Sequence, residues 1–308
     1  MYRTFACIFL AIAGLAADAG QIPSPTAPSG PTISARQAGA SNALDAVRFA
    51  VIGDNGTGDK PEFDVAKQMV AARAQVPFEF VLMLGDNLYG RPSPREFADG
   101  FERPYKPLLD AGVRFYAILG NHDAPDNRLY PGFNMNGQRY YTYARGNVRF
   151  FAIDTNALDD AQLAWLENAL RSSLERWKIA YFHHALYSSG KRHGSNVELR
   201  VRLEPLFVRY GVNVVFSGHD HIYERFKPQK GITYFVEGAS GQLRKGIRSS
   251  PDSALAFDRE QSFLLVEIAG NELAFRAITR SGRVIDSGVI TRAPTPDGEG
   301  NGYSRNSY

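Results

Sequence analysis

The sequence predicts an α/β fold: a four-layer αββα sandwich in which two mixed β-sheets pack face to face and helices flank them. The first observation is a series of short runs, rich in β-branched and aromatic residues, that end in Gly and a polar residue, as at 48–54 and 80–86. Runs that are apolar throughout are typical of strands buried on both faces. Helical stretches separate these runs, and a strand–turn–strand pattern follows Ser262.

Local signals along the chain define the individual elements. The first helix, residues 61–75, opens with Pro and Glu, as helix starts often do. Residues 160–174 place three leucines on one helical face, and the helix at 197–210 ends at Gly211, a suitable C-cap. Strands are predicted at residues 48–54, 80–86, 114–121, 149–154, 178–183, 212–217, 233–236, 263–268, 273–278 and 284–291.

The two ends of the chain differ in composition from its middle. Residues 1–19 combine a basic start, a short apolar run and small residues two apart, which predicts a signal peptide; the alternative is a buried N-terminal helix. Residues 20–45 are rich in Pro, Ser and Gly and are expected to form an extended linker. A single folded domain is then expected at 46–292 and a flexible tail at 293–308.

The predicted signal peptide implies an exported protein, either periplasmic or secreted. Cys7 is the single cysteine and lies inside this segment, so the mature chain would contain neither a thiol nor a disulfide. The 308-residue chain carries 35 Lys and Arg against 32 Asp and Glu, a net charge of +3, which implies no nucleic-acid partner. No apolar run is long enough to span a bilayer, so no transmembrane segment is predicted.

Polar residues collect where the predicted strands end. In open α/β sheets ligands bind at the carboxyl edge, although a single Gly-Asp after a strand is more often simple turn chemistry. Carboxylate, amide and imidazole groups together are ligands for Fe, Zn and Mn, and one carboxylate can bridge two cations. The residues concerned are Asp54, Asp86, Asn121, His183, His219 and His221.

Five motifs carry a resemblance to a known family. Their order resembles the calcineurin-like metallophosphoesterase signature, which implies a metallophosphoesterase-like fold. Tyr89 and the run at 218–225 resemble the purple (tartrate-resistant) acid phosphatase branch, in its small single-domain form. The motifs are Gly53-Asp54-x-Gly56, Gly85-Asp86-Asn-x-Tyr89, Gly120-Asn121-His122-Asp123, His183, and Gly218-His219-x-His221.

The resemblance implies two metal sites. The first ion, Fe(III), would be held by Asp54, Tyr89 and His221, since a phenolate is a hard, charged donor that stabilises trivalent iron. The second, a divalent Fe, Zn or Mn ion, would be held by Asn121, His183 and His219. Asp86 would bridge the two ions. The family pattern favours His183 over its neighbour His184, whose role the sequence leaves open.

Two further histidines are expected near the substrate. By resemblance, His122 would donate a proton to the leaving oxygen or hydrogen-bond the phosphate, with Asn121 beside it as a further contact. His193 would act similarly from a polar loop, although an ordinary surface histidine is the alternative there. Lys191 and Arg192 beside it would attract an anionic substrate or be simply solvated.

The implied function is an exported binuclear-metal phosphatase that hydrolyses small phosphate monoesters by attack of a metal-activated hydroxide. Many relatives have His two residues after the first Asp, where this sequence has Gly56, which favours the purple acid phosphatase branch. One alternative is a phosphodiesterase or nucleotidase of the same fold. Another is a non-catalytic exported protein that binds metal or phosphate. Neither the natural substrate nor the oligomeric state follows from the sequence.

Overall fold

A computed structural model describes residues 46–292 of the chain. The predicted signal peptide, linker and C-terminal tail therefore lie outside the described residues. Within the described range, no helix is both long enough and apolar enough to cross a membrane.

The described part of the chain alternates strands and helices before it ends in antiparallel strands. The helices are α1 (Lys60–Gln75), α2 (Pro94–Phe97), α3 (Arg103–Asp110), α4 (Asp160–Ser172) and α5 (Val197–Tyr210). The strands are β1 (Val47–Ile52), β2 (Phe80–Met83), β3 (Arg114–Ala117), β4 (Tyr141–Arg145), β5 (Val148–Ala152), β6 (Trp177–Phe182), β7 (Val214–Ser217), β8 (Tyr223–Phe226), β9 (Thr233–Glu237), β10 (Ser253–Phe257), β11 (Ser262–Ala269), β12 (Glu272–Thr279) and β13 (Val284–Thr291).

The strands form two mixed sheets. The six-stranded sheet has the order β13-β12-β11-β1-β2-β3, in which β1, β2 and β3 are parallel and the others antiparallel. The seven-stranded sheet has the order β10-β8-β9-β7-β6-β5-β4, with a parallel centre of β5, β6, β7 and β9. The polar loops predicted to carry the chemistry follow the carboxyl ends of the parallel strands in both sheets.

The main hydrophobic core lies between the two sheets. Successive residues of β5 point to opposite faces, so that Phe150 joins the cluster shared with the first sheet and Phe151 joins a second cluster. Phe49 of β1 packs edge-on against Phe150 and Phe216, with ring centroids 5.4 Å and 6.2 Å away. These contacts across the layers confirm the prediction of two sheets packed face to face.

Helices cover the outer face of each sheet. Val65 and Met69 of α1, with Tyr105 of α3, are buried in the cluster that contains the first sheet. Leu166 of α4 and Phe207 of α5 belong to the second cluster, against the outward side chains of the second sheet. The layers therefore run helix, sheet, sheet, helix, as predicted from the sequence.

Some elements were not predicted. Strands β4 and β10 are the edges of the second sheet and only partly buried, so they lack the apolar runs that indicate interior strands. Strand β8 carries two charged residues, Glu224 and Arg225, whose partners come from distant segments. The segment of α2 and α3 contains three prolines, which obscure the helical pattern.

We expect Phe49→Ala to lower the free energy of unfolding by about 3–5 kcal/mol, because it leaves a cavity between the sheets. Urea denaturation followed by circular dichroism measures this loss. Leu174→Ala is the matched control, since Leu174 is 94 % exposed and its truncation should change stability by less than about 0.5 kcal/mol. Equal effects of the two substitutions would contradict the role given to Phe49.

Candidate metal centre

The candidate site lies where the loops after β1, β2, β3, β6 and β7 meet. Asp54 and Asp86 follow β1 and β2 in the first sheet, and Asn121 follows β3. His183 follows β6 directly, while His219 and His221 lie in the loop after β7. The fold thus brings donors from both sheets to one edge of the sandwich.

The backbone at this edge adopts conformations that are unfavourable for most residues. Asp54, Asp86 and His219 have φ angles of 53°, 52° and 70°, in the left-handed region. Each such residue costs roughly 1 kcal/mol, which the packed sheets must offset. Strain of this kind at three donor residues is typical of functional sites.

Glycines allow the donor loops to approach one another. A Cβ atom on Gly120 would collide with the Asp86 carboxylate, and one on Gly218 would collide with the Asp54 carboxylate. This is the physical reason why glycine precedes the donor in both the Gly120-Asn121 and the Gly218-His219 motifs.

One group of donors is acidic. Asp54, Asp86 and His221 are buried and place one donor atom each within 4.8 Å of the others. His221 Nε2 lies 3.4 Å from Asp54 Oδ1, and the Tyr89 hydroxyl lies 3.5 Å from the same oxygen. The backbone N–H of His219 donates to the other Asp54 oxygen at 2.8 Å.

The second group of donors is centred on His183. Its Nε2 atom lies 3.0 Å from Asn121 Oδ1, 3.1 Å from His219 Nδ1 and 3.5 Å from Asp86 Oδ1. His184 belongs to the same group, because donor atoms of His183, His184 and His219 also lie within 4.8 Å of one another. Asp86, a member of the acidic group, therefore also contacts the second group through His183.

Burial controls the charge state of these side chains. It raises the pKa of Asp54, with a further increase from the charge of Asp86, and it raises the pKa of Asp86 itself. Burial, reinforced by neighbouring histidines, lowers the pKa of His219 to about 2, and burial with Arg244 lowers that of His221 to about 4. The histidines are thus neutral, which is the form that binds metals.

The hydrogen bonds of His183 fit a cation site. Its Nδ1 atom contacts the carbonyl oxygen of Leu84 at 2.9 Å, and a carbonyl only accepts, so Nδ1 carries the proton. The pKa of His183 is also well below its usual value, chiefly through burial. Its Nε2 atom is therefore unprotonated and carries a free lone pair. That lone pair faces the Asn121 oxygen, another acceptor. A cation between them would turn a repulsive contact into two ligand bonds.

The residues predicted to meet the substrate line the mouth of the site. Asn121, His122 and His193 are exposed, whereas the acidic donors beneath them are buried. The His122 ring centroid lies 5.1 Å from that of Tyr89, and the His193 centroid lies 3.9 Å from that of His219. The structure therefore places both histidines in contact with predicted metal donors.

His184 packs beside the donors, and its hydrogen-bond partner, Thr155, lies outside the donor groups. Its ring centroid is 4.4 Å from that of His219, and its Nδ1 atom lies 2.9 Å from the Thr155 hydroxyl. Its backbone N–H donates to the same hydroxyl at 3.1 Å. The Thr155 hydroxyl thus contacts both the backbone and the side chain of His184.

Asp123 has a structural role that the motifs did not indicate. Its carboxylate accepts hydrogen bonds from the backbone N–H groups of Asn87, Leu88 and Gly120, at 3.0, 3.1 and 2.9 Å. It thereby ties the loop after β2 to the loop after β3. Burial raises its pKa to about 7 despite these bonds.

Asp220 links the His193 loop to the metal motif. It is 2 % exposed and accepts hydrogen bonds from the Ser188 hydroxyl and from the backbone N–H groups of His193 and Gly194, at 3.3 and 2.9 Å for the latter two. The sequence offered one signal for this role. Asp220 lies between the two predicted metal donors His219 and His221, and a side chain in that position points away from both.

Comparisons with known proteins identify the family of the chain. Residues 47–223 match the model of the calcineurin-like phosphoesterase family. The chain is 26 % identical to human tartrate-resistant acid phosphatase type 5, over 83 % of this chain and 94 % of that protein. It is 30 % identical to purple acid phosphatase 17 of Arabidopsis thaliana, over 65 % of this chain and 70 % of that protein.

A solved structure supports the same assignment of the fold. The purple acid phosphatase PPD1 from yellow lupin superimposes with a TM-score of 0.68 at 21 % identity, over 80 % of this chain and 54 % of that one. The relatives are acid phosphatases, and the chain is accordingly a phosphoester hydrolase. The chain belongs to the calcineurin-like phosphoesterase family, and the curated relatives compared above are purple and tartrate-resistant acid phosphatases.

Proposed function

We propose that this chain hydrolyses phosphate monoesters with the help of two metal ions bound at the carboxyl edge of the sandwich. The observation that carries the proposal is the pair of adjacent donor groups, one acidic and one histidine-rich, which are linked by the buried Asp86 carboxylate of the acidic group. A single carboxylate between two sets of donors suits two cations that share a bridging ligand.

The donors divide between two sites. Asp54, Tyr89 and His221 would hold the first ion, and Asn121, His183 and His219 would hold the second, with Asp86 shared. Burial and the charges of Asp54 and Asp86 raise the pKa of the Tyr89 hydroxyl, so only a strongly charged ion would bind it as phenolate. That requirement favours Fe(III) at the first site and a divalent Fe, Zn or Mn ion at the second.

When bound, two such cations supply positive charge to the phosphate oxygens and lower the pKa of water enough to make hydroxide available. The chain's own residues provide the remaining chemistry. His122 lies at the mouth of the site and protonates the departing oxygen as the phosphorus–oxygen bond breaks. Asn121 and His193 bind phosphate oxygens and orient the ester.

The cellular location is part of the proposal. The signal-like composition of residues 1–19 supports an exported enzyme, periplasmic or secreted. The absence of any cysteine after Cys7 in the sequence is compatible with either compartment, because nothing in the remaining chain can be oxidised to a disulfide.

Two alternatives are decided by direct assays. A phosphodiesterase or nucleotidase of the same fold would prefer bis(p-nitrophenyl) phosphate or a nucleoside monophosphate over simple monoesters. A non-catalytic metal- or phosphate-binding protein would bind ions without turnover. The presence of all seven donors at one edge supports an enzyme, since a relative that has lost turnover would be expected to lack one or more of them.

Asp86→Ala should remove metal and activity together, because it deletes the shared ligand of both ions. We expect bound metal to fall below one ion per chain and kcat/KM for p-nitrophenyl phosphate to fall at least about 10³-fold. Elemental analysis and steady-state kinetics measure the two effects. Asp110→Ala, which removes an exposed carboxylate of α3, is the control. Full turnover by metal-free Asp86→Ala would overturn the proposal.

Tyr89→Phe tests the iron assignment. A phenolate bound to Fe(III) gives a charge-transfer band in the visible spectrum, so the purified wild-type protein should be coloured and the variant colourless. Tyr210→Phe is the control, because Tyr210 bonds Glu167 far from the centre. A colourless wild-type protein that is fully active with Zn or Mn alone would refute Fe(III) at this site.

His122→Ala should lower kcat most for substrates whose leaving group needs a proton in order to depart. We expect kcat to fall about 100-fold for an alkyl phosphate and much less for p-nitrophenyl phosphate, whose leaving group departs unprotonated. Metal content should remain at the wild-type level. Equal losses on both substrates would indicate that His122 binds phosphate and does not donate the proton.

A further inference from the structure

Two loops beside the metal centre pair to form a ribbon, here called the basic ribbon, of residues 189–194 and 244–248. Lys191 N–H donates to the Gly246 carbonyl at 2.9 Å, and Arg248 N–H donates to the Ser189 carbonyl at 2.8 Å. An antiparallel bridge joins Gly190 to Ile247. The ribbon is therefore an ordered surface element.

The basic ribbon concentrates positive charge. Its two segments contain five basic residues and no acidic one. The Arg248 guanidinium donates to the carbonyls of Gly190 and Lys191 at 2.9 Å each and so holds the ribbon together. The other four side chains are exposed, and within residues 46–292 none makes a hydrogen bond or ion pair. They are Lys191, Arg192, Arg244 and Lys245.

The ribbon lies against the candidate metal centre. Arg244 N–H donates to the His221 carbonyl at 2.9 Å, and the ring of His193, which belongs to the ribbon, packs against the His219 ring. Burial lowers the pKa of His193; the charge of Asp220 opposes this shift, and the charges of Arg244 and Arg192 add to it. Arg192, which directly precedes His193, and Arg244, whose backbone bonds to His221, thus lie on the His193 side of the site.

A cleft connects the ribbon to the donors. It has a volume of about 530 Å³, and Arg192, His193 and His219 line it together with the first residues of α5. Glu198 is the only acidic side chain in this lining. The N-terminus of α5 adds a partial positive charge to the same space, although Asn196 already caps one of its N–H groups. The cleft therefore offers room for a leaving group beside Arg192 and His193.

We propose that the basic ribbon is a binding subsite for a second phosphate carried by the leaving group, so that the preferred substrates are phosphate monoesters with more than one phosphate. The inference rests on the proposed monoesterase function. Two bound ions would compensate the phosphate that reacts, whereas the side chains of Arg192 and Arg244 would remain available to a second phosphate. Within the described residues three carboxylates, those of Asp220, Glu224 and Asp258, contact the ribbon, and they do so through its backbone N–H groups. Arg192 and Arg244 present forked donors that suit a phosphate dianion.

The test compares two sugar esters that differ by one phosphate, fructose 6-phosphate and fructose 1,6-bisphosphate. We expect the wild-type enzyme to favour the bisphosphate in kcat/KM. The double variant Arg192→Ala/Arg244→Ala should lose about 5–10-fold on the bisphosphate, mostly through KM, and about twofold or less on the monophosphate. Raising NaCl from ~0.02 M to ~0.5 M should reduce the wild-type preference, because the Debye length shortens from about 20 Å to about 4 Å.

The control is Lys67→Ala/Arg114→Ala, which removes two exposed cations from α1 and from the start of β3, away from the site. An unchanged preference in the Arg192→Ala/Arg244→Ala variant, or equal losses in the control, would overturn the subsite. Turnover of p-nitrophenyl phosphate reports separately on the proposed function. If no ester is hydrolysed, calorimetric binding of the two sugar esters still decides the subsite, since the wild-type protein must bind the bisphosphate more tightly than the monophosphate and the Arg192→Ala/Arg244→Ala variant must lose that preference.

Discussion

Two carboxylates buried side by side are the constraint around which this molecule is arranged. Asp54 and Asp86 lie at the ends of adjacent parallel strands with almost no contact with water. Ionised carboxylates in such a position are costly unless positive charge is close, and the raised pKa of each reflects that cost. His183, His219 and His221 have lowered pKa values, are neutral and do not supply the charge. A bound cation therefore becomes the partner that the arrangement requires.

The sandwich makes this arrangement possible by holding the loops rigidly. Left-handed backbone at three donors and glycines in direct contact with carboxylates would not persist in a mobile loop. Interlocked aromatic side chains between the sheets, with Phe49 against Phe150 and Phe216, fix the strands from which these loops start. Asp123 and Asp220 then fasten neighbouring loops to one another through backbone hydrogen bonds. The geometry of the site thus depends on the packing of the core.

Charge is distributed unevenly over a molecule that is nearly neutral as a whole. A net charge of +3 gives little long-range attraction for an anion. Binding of phosphate would instead depend on charge placed locally, by ions at the floor of the site and by the ribbon at its rim. Elsewhere in the described residues several basic side chains pair with acids at i,i+4 spacing, such as Lys60 with Asp64, whereas the ribbon brings four unpaired ones together.

The sequence by itself determined most of the interior strands, the longer helices and the identity of the candidate donors, because buried runs and strand-end motifs are local patterns. It missed the interior strand β8, which carries two charged residues. It did not determine the edge strands β4 and β10, which are half-exposed and carry a weak pattern. Nor could it place His193 next to His219, or pair residues 189–194 with 244–248, since these contacts join distant segments. Only the tertiary structure decided that Asp123 and Asp220 would bond to neighbouring loops, because a carboxylate's partner depends on which donors the fold brings within reach.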